Sequence, residues 1–191
     1  MLDLQTMKLF FAMLALATNA VVLFYVFVLI AGRWSEQASE LKQSFYEQVD
    51  GNEMLYGAIV ASTAMFGSLY LSEIANLPPC RLCWYQRYAM YPVAIVLALA
   101  AWKKETRVRI PVMVTVIVGG GISIYHYLVQ YFPNLQGNSC DIEVPCGFAW
   151  FRVFGFISIP YMALSAFAFV LVMMVALGVN IRSHLAAVPQ S

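Results

Sequence analysis

Charge is what this chain of 191 residues has least of. Asp, Glu, Lys and Arg make up 11% of it, and eleven basic against ten acidic residues leave a net charge of +1. An average soluble domain carries about 25% charged residues. So few polar side chains cannot cover a water-facing surface. The near-zero net charge also removes the basic footprint that nucleic acid requires. Disorder is excluded in turn, because it needs low hydrophobicity and high net charge, whereas 62% of these residues are hydrophobic. The bilayer is the solvent that fits this composition, and the four cysteines must be explained within it.

A spanning helix needs about 20 mostly apolar residues, and five stretches qualify. They run from Leu9 to Ala31, Met54 to Leu77, Trp84 to Trp102, Ile110 to Tyr131 and Ile157 to Val179. All are expected to be helices, since open strands leave backbone groups unsatisfied in lipid. The loop Lys103-Lys104-Glu105-Thr106-Arg107-Val108-Arg109 has four basic residues in seven and is cytoplasmic by the positive-inside rule. The loops before Trp84 and after Tyr131 then face outward, and the tail bearing Arg182 returns inside. Parity puts the N-terminus outside and the stretch from Arg33 to Glu53 inside. That stretch holds two basic and five acidic residues and casts no vote of its own. Within it Trp34, Ala38, Leu41, Phe45 and Val49 recur at helical spacing, which predicts an amphipathic helix at the interface or an ordinary linker helix. The run from Leu9 to Ala31 exceeds a signal-peptide core of about 7–15 residues and is read as a retained helix. Small residues at Gly57, Ala61, Ala64, Ser68 and Gly119-Gly120-Gly121 predict close helix approach.

All four cysteines fall in the two outward loops, as Cys80-x2-Cys83 and Cys140-x5-Cys146. Three readings are open: two structural disulfides, a four-cysteine zinc site, and a pair of redox dithiols. Redox chemistry has a physical case in the first pair. A ring this small contributes little by loop closure, and Cys-x-x-Cys motifs often carry a lowered thiol pKa. Pro78 and Pro79 keep the approach extended. Cys83 is expected at a helix start, where the dipole favours thiolate, with Arg87 one turn on along the same face. Arg87 would stabilise a thiolate or a reduced anionic acceptor there; otherwise it snorkels to lipid phosphate. A dithiol on top of a helix bundle can reach a lipid-soluble acceptor, and quinones are the obvious class.

The block Pro79-Cys80-Arg81-Leu82-Cys83-Trp84-Tyr85-Gln86-Arg87 with Met90-Tyr91-Pro92, the pair Tyr125-His126, Cys140-x5-Cys146 and Gly155-Phe156-Ile157-Ser158-Ile159-Pro160 resemble the DsbB/BdbC family of membrane thiol:quinone oxidoreductases. The short second loop is closer to the BdbC branch. The resemblance spans roughly Leu55 to Val179. It implies an all-α integral membrane protein: a four-helix transmembrane redox domain over residues 54–180, with both cysteine pairs outside the bacterial cytoplasmic membrane. Residues 1–53 would be an N-terminal extension, with an extra transmembrane helix at 9–31 and the amphipathic segment at 33–53. Residues 181–191 would be a cytoplasmic tail.

The resemblance also implies disulfides Cys80–Cys83 and Cys140–Cys146, a thioredoxin-fold dithiol oxidase of the DsbA/BdbD type as partner, and membrane quinone (ubiquinone or menaquinone) as acceptor, with no metal. Cys140 would take the partner's thiolate, Cys146 would pass the electrons to Cys80, and Cys83 would face the quinone. Arg87 corresponds to the family's quinone-site arginine. His126 could deliver protons or be a hydrogen-bonded interfacial histidine. Glu73 could relay protons or pair with Arg87. The aromatics from Trp84 to Tyr91, at Tyr125 and Tyr127, and from Phe148 to Phe154 read as an interfacial belt, some of them available to line a quinone pocket. The stretch from Gly147 to Phe154 is expected on the membrane surface, holding Cys146 near Cys80. Two rivals are a non-catalytic scaffold with structural disulfides and a quinone reductase like the vitamin K epoxide reductases. The latter lack the Cys-Trp-Tyr-Gln-Arg block.

Overall fold

Among the described residues there are six α-helices, all but the polar α2 built from predominantly apolar sequence: α1 (Leu4–Ala31), α2 (Glu36–Val49), α3 (Glu53–Leu69), α4 (Arg81–Lys103), α5 (Arg109–Tyr131) and α6 (Ile159–Ala187). The computed structural model describes residues 4–135, 140 and 144–187. Asp141, Ile142 and Glu143 of the second cysteine loop, and residues 188–191 of the tail, lie outside the described residues. Among the described residues the only β-type pairing is the contact of Val153 with Ile157. This is an all-α membrane protein.

α1, α6, α5 and α3 with its continuation to Ile74 are long and apolar enough to cross a bilayer. α4 has the length, about 34 Å at 1.5 Å per residue, but not the apolarity. Its first two turns carry Arg81, Gln86 and Arg87. The fold accepts them because Gln86 and Arg87 are buried against neighbours, not exposed.

α3, α4, α5 and α6 pack as a ring, each against the next, and α1 packs outside it against α6. Leu97, Val116, Phe167, Val170, Met173 and Met174 fill the centre. Small residues let the backbones approach. A side chain at Gly119 would meet the Phe167 ring and Ala89, and one at Gly57 would meet Leu97, whereas Gly121 faces open space. The close approach expected of the glycine triplet therefore rests on Gly119.

The two ends of the bundle differ. At one end lie the cysteines. Lys8 of α1 sits there with its amine 5.0 Å from the Phe151 ring centre. At the other end Asn180 donates to the Tyr46 carbonyl (3.1 Å) and the Glu53 carboxylate (2.7 Å), tying α2, α3 and α6 together. Tyr25 and Tyr46 join α1 to α2 by a 3.0 Å hydroxyl pair. Of the stripe expected on α2, Ala38 and Val49 are buried and Phe45 packs on the core. Leu41 is exposed, and Trp34 lies before the helix and is exposed.

The second expected span changes character before its end. α3 gives way to a π-helical turn at Tyr70–Ile74. Asn76 then takes a positive φ of 52°, and Leu77-Pro78-Pro79 runs extended to Cys80. Prolines cannot prolong the helix, so the chain descends to Cys80 as an irregular strap. α4 closes at Lys104 in the left-handed conformation, whose N–H returns to the Ala100 carbonyl.

Candidate active site

The strap ends with Cys80 as the N-cap of α4, its sulfur accepting from the Cys83 N–H at 3.4 Å. The helix start thus serves Cys80 directly, where the sequence pointed to Cys83. The two sulfurs are 3.2 Å apart and unbonded. Cys80 is buried and Cys83 half-buried. The Cys80 thiol is lowered to about 4, first by its hydrogen bond with Cys83, against the opposing effect of burial, and then by the bond and charge of His126. A sulfur with these neighbours is a thiolate at neutral pH.

His126 is 2% exposed on α5, with Nε2 3.6 Å from the Cys80 sulfur and Nδ1 3.5 Å from Gln86 Oε1. Gln86 Nε2 donates to Ser123 Oγ at 2.9 Å, and Ser123 Oγ donates to the Gly119 carbonyl at 2.9 Å. That sequence of partners assigns the tautomer. A carbonyl only accepts, so Ser123 gives its single proton to Gly119 and accepts from the Gln86 amide. Gln86 then turns its oxygen to His126, whose proton sits on Nδ1. Nε2 is left facing Cys80, and the thiol proton taken up there makes the imidazolium whose bond and charge favour the thiolate.

Arg87 is 8% exposed. It donates from Nε to Ser68 Oγ and from Nη2 to the Ser68 carbonyl, both at 3.0 Å. Its guanidinium lies 5.2 Å from the Trp84 ring centre. Ser68 lies just before the π turn, and its carbonyl also accepts from Ser72. The arginine is therefore pinned inside the bundle and does not snorkel to lipid. It lines a cavity of about 220 Å³ together with Cys83, Ser68, Tyr91, Trp150 and Met162. A dry cavity of about 150 Å³ accepts a benzene ring, so this one has room for a substituted ring. The buried hydroxyl of Tyr91, a residue of its wall, has no hydrogen-bond partner among the described residues. An unpaired buried hydroxyl is costly, and an oxygen acceptor in the cavity would satisfy it.

Cys140 and Cys146 are joined by a disulfide with their Cα atoms 5.8 Å apart. Cys146 is fully buried and clusters with Cys80, Leu82 and Val129, and Cys83, Cys140 and Val144 pack on the same group. Two contacts shape the segment that follows. Val153 and Ile157 exchange backbone hydrogen bonds at 2.9 and 3.0 Å, around a turn in which Gly155 takes a φ of 80°. Arg152 donates to the Gln130 carbonyl at 2.9 Å. These fix the segment over the end of α5, beside the cysteines.

The structure thus brings Cys80, Cys83, Cys140, Cys146, Arg87 and His126 to one end of the bundle. His126 touches the thiol side, not the cavity. Glu73 is not brought in. It sits exposed on the π turn, bonded to the Ser72 hydroxyl at 3.0 Å, and Arg87 takes Ser68 instead. Gln86 lay inside the motif without an assigned role, Tyr91 was read with the interfacial aromatics, Ser68 entered only as a small packing residue, and Ser123 carried no sequence signal. Cys80, Cys83 and His126 have donor atoms within 4.8 Å of one another. That makes three donors, one short of the four of a closed structural zinc site, and Cys140 and Cys146 are engaged with each other.

The family model described as disulfide bond formation protein DsbB matches residues 52–179. Disulfide bond formation protein C of Bacillus subtilis is 46% identical over 117 residues, covering 61% of this chain and 85% of the relative. A probable disulfide formation protein of Oceanobacillus iheyensis is 42% identical over 124 residues, 64% of this chain and 86% of the relative. A probable disulfide formation protein C of Halalkalibacterium halodurans is 39% identical over 123 residues, 63% and 89% respectively. No solved structure matches.

Proposed function

The chain belongs to the DsbB family of disulfide bond formation proteins, and on that premise we propose that it is a protein-dithiol:quinone oxidoreductase of the bacterial cytoplasmic membrane, with its cysteine end outside. It would reoxidise a thioredoxin-fold dithiol oxidase and so sustain disulfide formation in exported proteins. What supports this reading most is that one dithiol has two neighbours of different kinds. On one side it packs with the buried Cys146 of the Cys140–Cys146 disulfide; on the other, Cys83 opens on the cavity that holds Arg87.

The overall reaction balances without an added oxidant. The partner's two thiols become a disulfide, and quinone becomes quinol by accepting two electrons and two protons. The partner's thiolate attacks Cys140 and releases Cys146. Cys146 attacks the Cys80–Cys83 disulfide at Cys80 and releases Cys83. The partner's second thiol then displaces Cys140, and Cys140 closes back onto Cys146, releasing Cys80. Cys80 and Cys83 are now the reduced pair, the state in which the structure holds them. Quinone supplies the final two-electron acceptor. The chain's own residues would hold it through Arg87 and Tyr91, keep the Cys80 thiolate available, and exchange a proton at Nε2 of His126. The three-donor group is read as this proton and sulfur relay, with no metal.

The test uses purified protein in detergent, a reduced thioredoxin-fold oxidase and a soluble short-tailed quinone, followed by quinone absorbance. Wild type should consume quinone only when the dithiol is present, and Cys83→Ser should abolish consumption. Quinone loss independent of Cys83, or none with any partner, would overturn the proposal.

A further inference from the structure

The family match begins at residue 52, so α1 lies outside it. The part of the Bacillus subtilis relative left unmatched is shorter than α1 alone, so that protein has no room for a counterpart of α1 and α2 together. Yet α1 is not peripheral here. Phe11, Leu14, Ala15 and Thr18 line the same cavity as Cys83, Arg87 and Tyr91. Phe11 fits its ring against Gly67 of α3, where a side chain would collide with it. Asn19, one turn beyond Ala15, donates to the Tyr161 hydroxyl at 2.9 Å and to Ser165 Oγ at 3.0 Å on α6. Polar clasps of this kind hold membrane helices together and here fix the rotation of α1. Ala12 and Ala15 consequently face inward and are buried, while Phe10, Met13 and Leu23 face outward.

We infer that α1 is the outer wall of the acceptor cavity and that its inward residues, Phe11, Ala15 and Thr18, determine which quinones fit. The inference rests on the function proposed above. A four-helix relative without such a helix would leave this side of the cavity open to lipid. Here the wall presents the small side chains of Ala15 and Thr18, and enlarging either removes space from the ring. Phe11 closes the region beside Gly67, and shortening it adds space.

The experiment has two readouts on the full chain. In the first, a photoreactive azido-quinone is cross-linked to detergent-purified protein, with and without excess unlabelled quinone, and the labelled peptides are identified by mass spectrometry. In the second, kcat and KM are measured for quinones of different ring size with wild type, Ala15→Leu, Thr18→Leu and Phe11→Ala. Thiol exchange with the partner in the absence of quinone reports that each variant is folded. The expected result is competed labelling within α1. Ala15→Leu should raise KM about tenfold for the larger rings, the order of a modest steric misfit, with partner exchange unchanged. Phe11→Ala should admit larger rings. Labelling confined to α3, α4 and α6, with KM unchanged in all three variants, would overturn the assignment of α1 and leave the proposed function standing. No labelling and no quinone consumption in wild type would overturn both.

Discussion

Arg87 shows how a charge can be kept inside a membrane bundle. Both of its described hydrogen bonds go to a single residue, through the hydroxyl and carbonyl of Ser68, and neither partner carries a charge. Its positive charge is therefore not neutralised by these two bonds, and an electron-rich oxygen in the cavity would feel it. Replacing it with alanine should raise the KM for quinone by roughly tenfold to a hundredfold, the worth of one charged hydrogen bond of about 1.5–3 kcal/mol. Partner exchange at Cys140 should be untouched, and stopped-flow absorbance separates the two steps. Cys80 offers a second check. Its pKa near 4, against about 8.5 for a free thiol, means that the reactive thiolate persists as pH falls. In a reduced Cys140→Ser/Cys146→Ser background, alkylation of Cys80 by iodoacetamide should stay flat through the neutral range and drop only as pH approaches about 4. His126→Ala should move that midpoint upward, because both the bond and the charge that favour thiolate are gone. At this scale the motif made Cys80, Cys83 and Arg87 legible. It did not show that His126 lies beside Cys80 and off the cavity, or that Glu73 faces outward, because both depend on which way a helix turns.

The turn in question is an element-scale feature. Apolar sequence running through Met54 to Leu77 reads as one helix, and nothing in Tyr70-Leu71-Ser72-Glu73-Ile74 signals a wider coil. The π turn puts Glu73 on the outside just past the residue that anchors Arg87, which fits the frequent appearance of such turns at functional sites. Helix existence was legible because apolar length suffices; helix rotation was not, because an all-round apolar helix has no polar face to orient it. The same limit applies to the glycines. Three in a row predict close packing, but only contact with α6 singles out Gly119. Gly119→Ala gains about 1 kcal/mol of helix propensity, yet the new carbon meets the Phe167 ring and Ala89, and overpacking costs about 1–3 kcal/mol. Overpacking should win, and a thermal melt in detergent should show a lowered Tm, whereas Gly121→Ala should hold or raise it.

Across the whole molecule, the two cysteine pairs are joined by packing rather than by proximity in sequence. Cys146 shares a buried cluster with Cys80, while Cys140 is half-buried and the more accessible of the two bridged sulfurs. Cys146→Ser should therefore trap the partner on Cys140 as a mixed disulfide, detectable by non-reducing electrophoresis and mass spectrometry. A partner trapped on Cys80 instead would reverse the order of exchange. The walls of the cavity come from α1, α3, α4 and α6 with the strap and Trp150 between them, whereas Cys80, His126 and their hydrogen-bond chain need only the strap, α4 and α5. During synthesis α1 enters the membrane first among the described helices and α6 last. The thiol relay can thus be complete while the cavity is still missing a side. A nascent chain that has inserted only as far as α5 holds the dithiol without the enclosed cavity beside it, and that cavity is completed only when the last helix closes against the first.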